Sequence, residues 1–307
     1  MKAIRINEWG QPATLEEIEQ PTPGPTEVLV QVRAAAVNKV DWTIAAGYLQ
    51  GMLSAPMTLG TDFAGDVVAV GAEVTHVQPG DAVYGFIPIT SGSFAEYVVV
   101  QSTQVARKPQ SLDYLHAAAA PLVATTAWQA LFDIAQVQPG ERVLIHGASG
   151  GVGSFAVQFA KQAGATVIGT ASADKAARLH ELGIDQHVDA QAQPFEEVVK
   201  DVDVVFDTVG GDMPARSYGV LKPGGRLVTS AAQITPEDTA AQAERGLRVS
   251  GMLAQPNPAQ LAQIADLIDA GKVKVSVGQV LPLEQAQEAL ERVKAQHVPG
   301  KVVLNIS

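Results

Sequence analysis

A short apolar run, a glycine turn and an amphipathic segment follow one another between Arg142 and Ala160, and few folds accommodate that order. The run Val143-Leu144-Ile145 is long enough for a buried strand. The turn His146-Gly147-Ala148-Ser149-Gly150-Gly151 follows, and then Val152, Phe155, Ala156 and Phe159 recur at helical spacing. Strand, turn and helix in this order form the phosphate cradle of a dinucleotide fold. The turn lets backbone N–H groups approach a pyrophosphate, and the helix N-terminus adds about half a positive charge. The spacing is Gly147-x-x-Gly150-x-x-Gly153, not the commoner G-x-G-x-x-G, so the flanking strand and helix carry the assignment.

The rest of the composition narrows the class. A chain of 307 residues is long enough for two domains. With 47% hydrophobic and 17% charged residues it is well cored rather than disordered. A net charge of -11 argues against nucleic acid or an anionic membrane as partner. The sequence has no cysteine, which excludes disulfides, thiolate catalysis and cysteine-ligated zinc. Neither a signal-peptide pattern nor an apolar run near the ~20 residues of a membrane helix is present, so the expectation is a soluble cytoplasmic protein.

Taken in order, the first third reads as β-rich. Strands are predicted at Lys2–Ile6, Val28–Ala36, Thr61–Val70 and Ala95–Val100, separated by turns such as Pro21-Thr22-Pro23-Gly24-Pro25 and Gln78-Pro79-Gly80-Asp81. Such a pattern suggests a compact, barrel-like β domain. Near residue 113 the character changes, with helix-favouring stretches at Leu115–Ala120 and Thr125–Ile134. Six strands then alternate with helices: Val143–Ile145, Thr166–Thr170, His187–Asp189, Val204–Phe206, Arg226–Thr229 and Leu247–Met252. Alternation of this kind predicts a doubly wound parallel sheet. An amphipathic helix over Pro258–Ala270, a strand at Val273–Val280, a helix at Leu283–Lys294 and a strand at Lys301–Ile306 follow. This β-rich ending suggests that the chain re-enters its first domain. The predicted boundaries are 1–115 plus 272–307 for the β domain, and 116–271 for the nucleotide domain.

The segment after the second sheet strand bears on the nucleotide. Folds that bind NAD place a carboxylate at the end of that strand, against the ribose 2′-OH. Here the position falls on Ala171, and Asp174 reads as a first-turn helix residue. Ser172, Lys175 and Arg178 could instead hold a 2′-phosphate, which favours NADPH. An ordinary solvated helix start is the other reading of the same residues.

Several further motifs carry a resemblance along nearly the whole chain: Ala36-Val37-Asn38-Lys39-Val40-Asp41, Leu59-Gly60-Thr61-Asp62-Phe63-Ala64-Gly65, Gly92-Ser93-Phe94-Ala95-Glu96-Tyr97, Asp207-Thr208-Val209-Gly210-Gly211 and Gly300-Lys301-Val302-Val303-Leu304. With Gln78–Gly85, Pro121–Leu131 and the glycine turn, they resemble the zinc-free quinone oxidoreductase (zeta-crystallin-like) branch of the medium-chain dehydrogenase/reductases. The resemblance implies an α/β fold in which a Rossmann doubly wound parallel sheet is inserted in a GroES-like β-barrel domain. It also implies a cleft between the two domains for cofactor and substrate, and a homodimer joined through the sixth strand of the nucleotide domain.

The resemblance also implies site roles. Asn38 and Thr126 would line the nicotinamide half of the cofactor, and Gly150, Gly151 and Val152 would meet the pyrophosphate. Val209 and Gly210 would border the adenosine side, while Ala231 and Leu253 would offer backbone groups to the carboxamide. Related reductases often carry a tyrosine near the end of the third strand, where this chain has Ala190, leaving Lys175 as the main cation. Zinc alcohol dehydrogenases place Cys, His and usually Cys at the positions filled here by Asn38, Thr61 and Leu122. A structural-zinc loop is missing too, since eight residues separate Tyr84 from Ser93. Without a Lewis acid to stabilise an alkoxide, the feasible reaction is hydride transfer to an electron-poor acceptor, a quinone or an α,β-unsaturated carbonyl.

No general acid declares itself. Tyr48 could donate to a carbonyl oxygen or simply line the pocket, and Trp42, Met52, Leu53 and Phe86 could make that pocket apolar or pack in the core. His146 reads as a packed histidine, and His76, His180, His187 and His297 show no metal-ligand spacing. A competing reading is a nucleotide-binding sensor or structural protein with little turnover.

Overall fold

The computed structural model describes every residue except Gln296, His297, Pro299 and Ser307. His297, named above, therefore lies outside the described residues. The chain divides into two compact units, 1–122 with 256–271 and 275–307, and 123–255 with 272–274.

The second unit holds six strands: β1 (Arg142–His146), β2 (Thr166–Ala171), β3 (Gln186–Asp189), β4 (Val202–Asp207), β5 (Leu221–Thr229) and β6 (Arg248–Gly251). Their order is 3-2-1-4-5-6 and every neighbouring pair is parallel. A parallel strand is covered on both faces, so it reads as an unbroken apolar run, as Val143-Leu144-Ile145 and Val204-Val205-Phe206 do. One core cluster joins Leu144, Ile168, Val205, Leu227 and Val249 to Phe195 and Val199. The helix Gly151–Gln162 buries residues 153–160 without interruption. The direction of winding reverses between β1 and β4, and such a switch point places a ligand beyond the carboxyl ends of the strands.

The first unit is a β structure built from both ends of the chain. Its seven-stranded sheet runs Val277–Pro282, Lys301–Asn305, Glu27–Val37, Asp62–Val70, Ala82–Phe86 and Val105–Arg107, and Tyr97–Gln101 pairs with Glu27–Val37 off that path. A second sheet joins Thr14–Glu17, Lys2–Ile6 and Met57–Thr58. The predicted return of the chain is the antiparallel pairing of Val302 with Val37 through to Asn305 with Ala34.

Both domain boundaries move. The helix Pro258–Asp269 was expected in the nucleotide domain, but it belongs to the β unit. The buried Tyr84 Oη donates to the Leu261 carbonyl at 2.6 Å, and the Asp269 carboxylate accepts from the Ser111 and Gln110 N–H groups at 2.8 and 3.0 Å. Only Lys272–Lys274 stays with the nucleotide unit, because Gln158 brackets the Lys274 backbone as donor at 3.1 Å and acceptor at 2.7 Å. The same clamp explains why the strand expected from Val273 begins at Val277. The first boundary lies at 122/123 rather than 115/116, since the Leu122 N–H donates to Asp62 of the β unit at 2.8 Å.

Helix and strand meet closely at the glycine turn. A Cβ added to Gly153 would lie 2.2 Å from the Gly147 carbonyl oxygen and 2.7 Å from the Ala148 Cα. Both are backbone atoms, so Gly153→Ala is expected to destabilise the unit by about 2 kcal/mol or more. An unchanged urea midpoint would contradict that packing.

Candidate active site

The cradle begins at Gly147, whose φ of +69° belongs to the left-handed region that glycine adopts without strain. The turn is tied down by the Ala148 N–H donating to the Thr170 carbonyl at 3.0 Å and the Gly150 N–H to Gly147 at 2.9 Å. Gly150 caps the twelve-residue helix Gly151–Gln162, whose first N–H groups, those of Gly151 and Val152 among them, have no acceptor within the helix. Beside the turn lies a cavity of about 410 Å³, lined among others by Gly147, Ala171, Ala190, Phe195, Val209 and Arg216. Ala190, where the resemblance expects a tyrosine, leaves that wall open. Close backbone approach, free helix N–H groups and an adjoining cavity fit the phosphates and adenosine of a dinucleotide.

The loops that follow the strands are held by side chains to which the sequence reading gave no role. Asp207, buried at the end of β4, accepts from the Val209 N–H at 2.9 Å, the Gly210 N–H at 3.2 Å and the Thr229 hydroxyl at 2.7 Å. Thr229 Oγ1 in turn accepts from the Ala231 and Ala232 N–H groups at 3.2 Å. One carboxylate thus fixes the loops carrying Val209, Gly210 and Ala231. A lone acidic residue closing an apolar strand was its signal. Gln129 does similar work for the segment after β6: its amide donates to the Gln255 carbonyl at 2.8 Å and accepts from the Gln255 N–H at 3.0 Å. Leu253 protrudes from this segment with 82% exposure. Nothing local in the sequence marks Gln129, which opens a π-helical turn, Gln129–Ile134. Thr126 is buried three residues before it.

His146 is a packed residue, as expected. The Ser217 hydroxyl donates to the Met213 carbonyl at 2.7 Å, so its oxygen accepts from His146 Nε2 at 2.9 Å, and Nδ1 faces the Thr170 hydroxyl at 3.2 Å. Burial pushes this imidazole down to about 4.

After β2, Ser172 and Lys175 converge on one side chain. Ser172 Oγ donates to Asp174 Oδ1 at 2.5 Å and Lys175 Nζ to Oδ2 at 2.6 Å. Arg178 lies on the next helix, Ala176–Glu181.

In the first unit Asn38 is the hub of a buried polar cluster. Its Nδ2 donates to Asp62 Oδ2 at 2.8 Å and Thr61 Oγ1 at 3.1 Å, and its Oδ1 accepts from Lys301 Nζ. Its N–H donates to Asp41 Oδ2 at 2.7 Å, at the head of the helix Lys39–Ala45. Lys301 Nζ also donates to the Val37 carbonyl at 3.1 Å and stands 3.6 Å from Asp62. Burial raises the Asp41 carboxyl to about 7 and raises Asp62, against which Lys301 works; burial lowers Lys301. Asn38, Thr61 and Leu122 offer an amide, a hydroxyl and an apolar chain, a donor set that does not fit zinc. No group of three or more His, Asp or Glu able to hold a metal occurs among the described residues.

The five residues expected at a substrate pocket differ widely in exposure. Tyr48 and Met52 are 71% and 77% exposed, Tyr48 lying 5.7 Å from the Trp42 ring. Trp42 is half-buried under the Lys294 ammonium at 5.6 Å. Phe86 and Leu53 are buried and belong to the interior of the unit.

Two sequence families match: the alcohol dehydrogenase GroES-like domain over residues 24–110, and the zinc-binding dehydrogenase family over residues 182–304. The NAD(P)H oxidoreductase RTN4IP1, mitochondrial, of Danio rerio is 33% identical, over 92% of this chain and 84% of its own. The quinone oxidoreductase of Mus musculus is 31% identical over 99% and 97%. Among solved structures, the quinone oxidoreductase from Coxiella burnetii superimposes with a TM-score of 0.93 at 33% identity, over 100% of this chain and 99% of that one. The CurK enoyl reductase gives a TM-score of 0.90 at 29% identity, over 100% and 99%. The chain belongs to the quinone oxidoreductase family of the medium-chain dehydrogenase/reductases, with a GroES-like domain and a Rossmann-type sheet. This is a family of nucleotide-binding dehydrogenases, and it implies an NAD(P)H cofactor.

The His146 environment predicts an acid limb in stability. The folded protein holds the ring neutral, whereas the unfolded chain binds a proton below about pH 6.5. Stability is therefore full above that pH and falls as pH drops toward 4, by about 3 kcal/mol for a shift of this size. His146→Gln is expected to flatten this limb in urea titrations at pH 4 to 7, whatever its cost at pH 8. An unchanged slope would contradict the assignment.

Proposed function

We propose that this protein is a zinc-independent, NADPH-dependent reductase of quinones or α,β-unsaturated carbonyls. The observation that carries the proposal is the pairing of an intact phosphate cradle with a buried Asn38–Asp62–Lys301 cluster in which the zinc ligands of the alcohol dehydrogenases have no counterpart. When bound, the dinucleotide supplies a hydride. The protein's own residues hold and orient. Gly150, Gly151 and Val152 take the pyrophosphate, Val209 and Gly210 border the adenosine, and Ala231 and Leu253 present backbone groups to the carboxamide. Asp207 and Gln129 keep those loops in place. Asn38 and Thr126 are the residues that the family resemblance assigns to the nicotinamide half. Ser172 and Lys175 provide a hydroxyl and an ammonium for a 2′-phosphate, the feature that favours NADPH.

Quinones and enones already place the incoming charge on oxygen, so hydrogen-bond donors or water suffice for the oxyanion. Tyr48, which is exposed, or water would supply that hydrogen bond. We also place the protein in the cytoplasm as a homodimer joined through β6, an edge strand of its sheet.

The test is NADPH oxidation at 340 nm against a naphthoquinone, an enal, an enone and a simple aldehyde, each repeated with NADH. Turnover of the quinone or enal with a preference for NADPH is expected. Silence across the panel while NADPH still binds by fluorescence would favour a sensor with little turnover. In the same assay Tyr48→Phe should keep kcat within about threefold, and a fall of about a hundredfold would make Tyr48 the acid.

A further inference from the structure

Two of the donors expected for a 2′-phosphate, Ser172 and Lys175, are already engaged by a carboxylate of this chain. Ala171 ends β2 and lines the cavity beside the cradle, and Ser172, Asp174 and Lys175 follow it directly. In doubly wound nucleotide folds this point of the chain meets the adenosine ribose, and the side chains there distinguish a 2′-hydroxyl from a 2′-phosphate. Ser172 Oγ is 2.5 Å from Asp174 Oδ1 and Lys175 Nζ is 2.6 Å from Oδ2, so both carboxylate oxygens are used and both donors point at them. The Asp174 side chain is otherwise well exposed, at 64%, while Lys175 is 31% exposed. Asp174 thus holds, within one short turn, the position that a bound phosphate would take relative to its two ligands.

We propose that Asp174 is a specificity-determining residue that competes with the cofactor's 2′-phosphate for Ser172 and Lys175. This rests on the dinucleotide reading above. A 2′-phosphate carries about -1.5 to -2 charges, so it must draw the two donors from Asp174 and also tolerate that carboxylate nearby. A 2′-hydroxyl meets neither cost, because a carboxylate is a good acceptor for it. The wild-type site therefore accepts both cofactors, with a preference for the phosphorylated one well below what Ser172 and Lys175 would give alone. The partly exposed Lys175–Asp174 pair is weak enough to be displaced, which makes Asp174 a moderator of phosphate binding and not a block.

The experiment compares 2′,5′-ADP with 5′-AMP by isothermal titration calorimetry, since the two differ only in the 2′-phosphate. Asp174→Asn keeps the shape and removes the charge. It should tighten 2′,5′-ADP about tenfold, leave 5′-AMP within about twofold, and shift the ratio of kcat/KM for NADPH over NADH by a similar factor. Repeating the change in a Lys175→Ala background should reduce the gain to under about threefold, because one of the two released donors is then missing. Equal changes for the two ligands, no change, or a full gain without Lys175 would overturn the proposal. If the wild-type protein binds 2′,5′-ADP, 5′-AMP, NADPH and NADH not at all, the dinucleotide reading itself fails and this inference with it.

Discussion

The nucleotide unit depends on a backbone crossing that admits no side chain. The Gly147 carbonyl and the start of the helix Gly151–Gln162 approach so closely that a Cβ at Gly153 would overlap backbone atoms of the turn. That approach directs the helix N-terminus at the carboxyl ends of β1 and β4, where the sheet reverses its order. It also sets the register of the buried faces, since Phe155, Ala156 and Phe159 lie in the interior only if the helix starts where it does. The phosphate site and the core of the unit are consequences of the same contact.

Around that crossing, polar side chains hold loops that apolar packing cannot order. Asp207 and Thr229 tie together the turns after β4 and β5, and Gln129 forms a two-point clamp on Gln255 after β6. Each arrangement satisfies buried backbone groups that would otherwise be costly. In the β unit the corresponding element is the Asn38–Asp41–Asp62–Lys301 cluster. Two carboxylates and one ammonium are buried together, and the geometry succeeds because every charge has a hydrogen-bonded partner. Such a cluster is poorly replaced one residue at a time, because the loss of one member leaves another buried and unpaired.

The sequence made much of the nucleotide unit legible. Val143–Ile145 and Val204–Phe206 are continuous apolar runs of a kind that parallel strands require, and all six expected strands are present within a few residues of their ends. The glycine turn after β1 was readable too, from its flanking strand and helix. What was not legible depended on distant partners. The helix Pro258–Asp269 looks like another crossover helix until Tyr84 and Ser111 are seen to bind it. Gln129 meets Gln255 across 126 positions and Lys301 meets Asn38 across 263, and neither side chain advertises its partner locally. The aromatic and apolar residues near Trp42 could not be sorted from sequence, and they divide between the core, as Phe86 does, and the surface, as Tyr48 and Met52 do. Asp174 does lie in the first turn of a short helix, Ala173–Lys175, as its position suggests, and its carboxylate also engages both neighbouring donors.

The central claim is that the chain transfers hydride to an electron-poor acceptor without a metal. The most direct measurement follows the label from 4-deuterated NADPH into an enone, using protein exhaustively dialysed against a chelator and checked by elemental analysis. Deuterium at the β-carbon of the saturated product, formed at a rate that neither chelation nor added zinc alters, is the predicted result. Product without the label, or turnover that appears only when zinc is restored, would contradict the account.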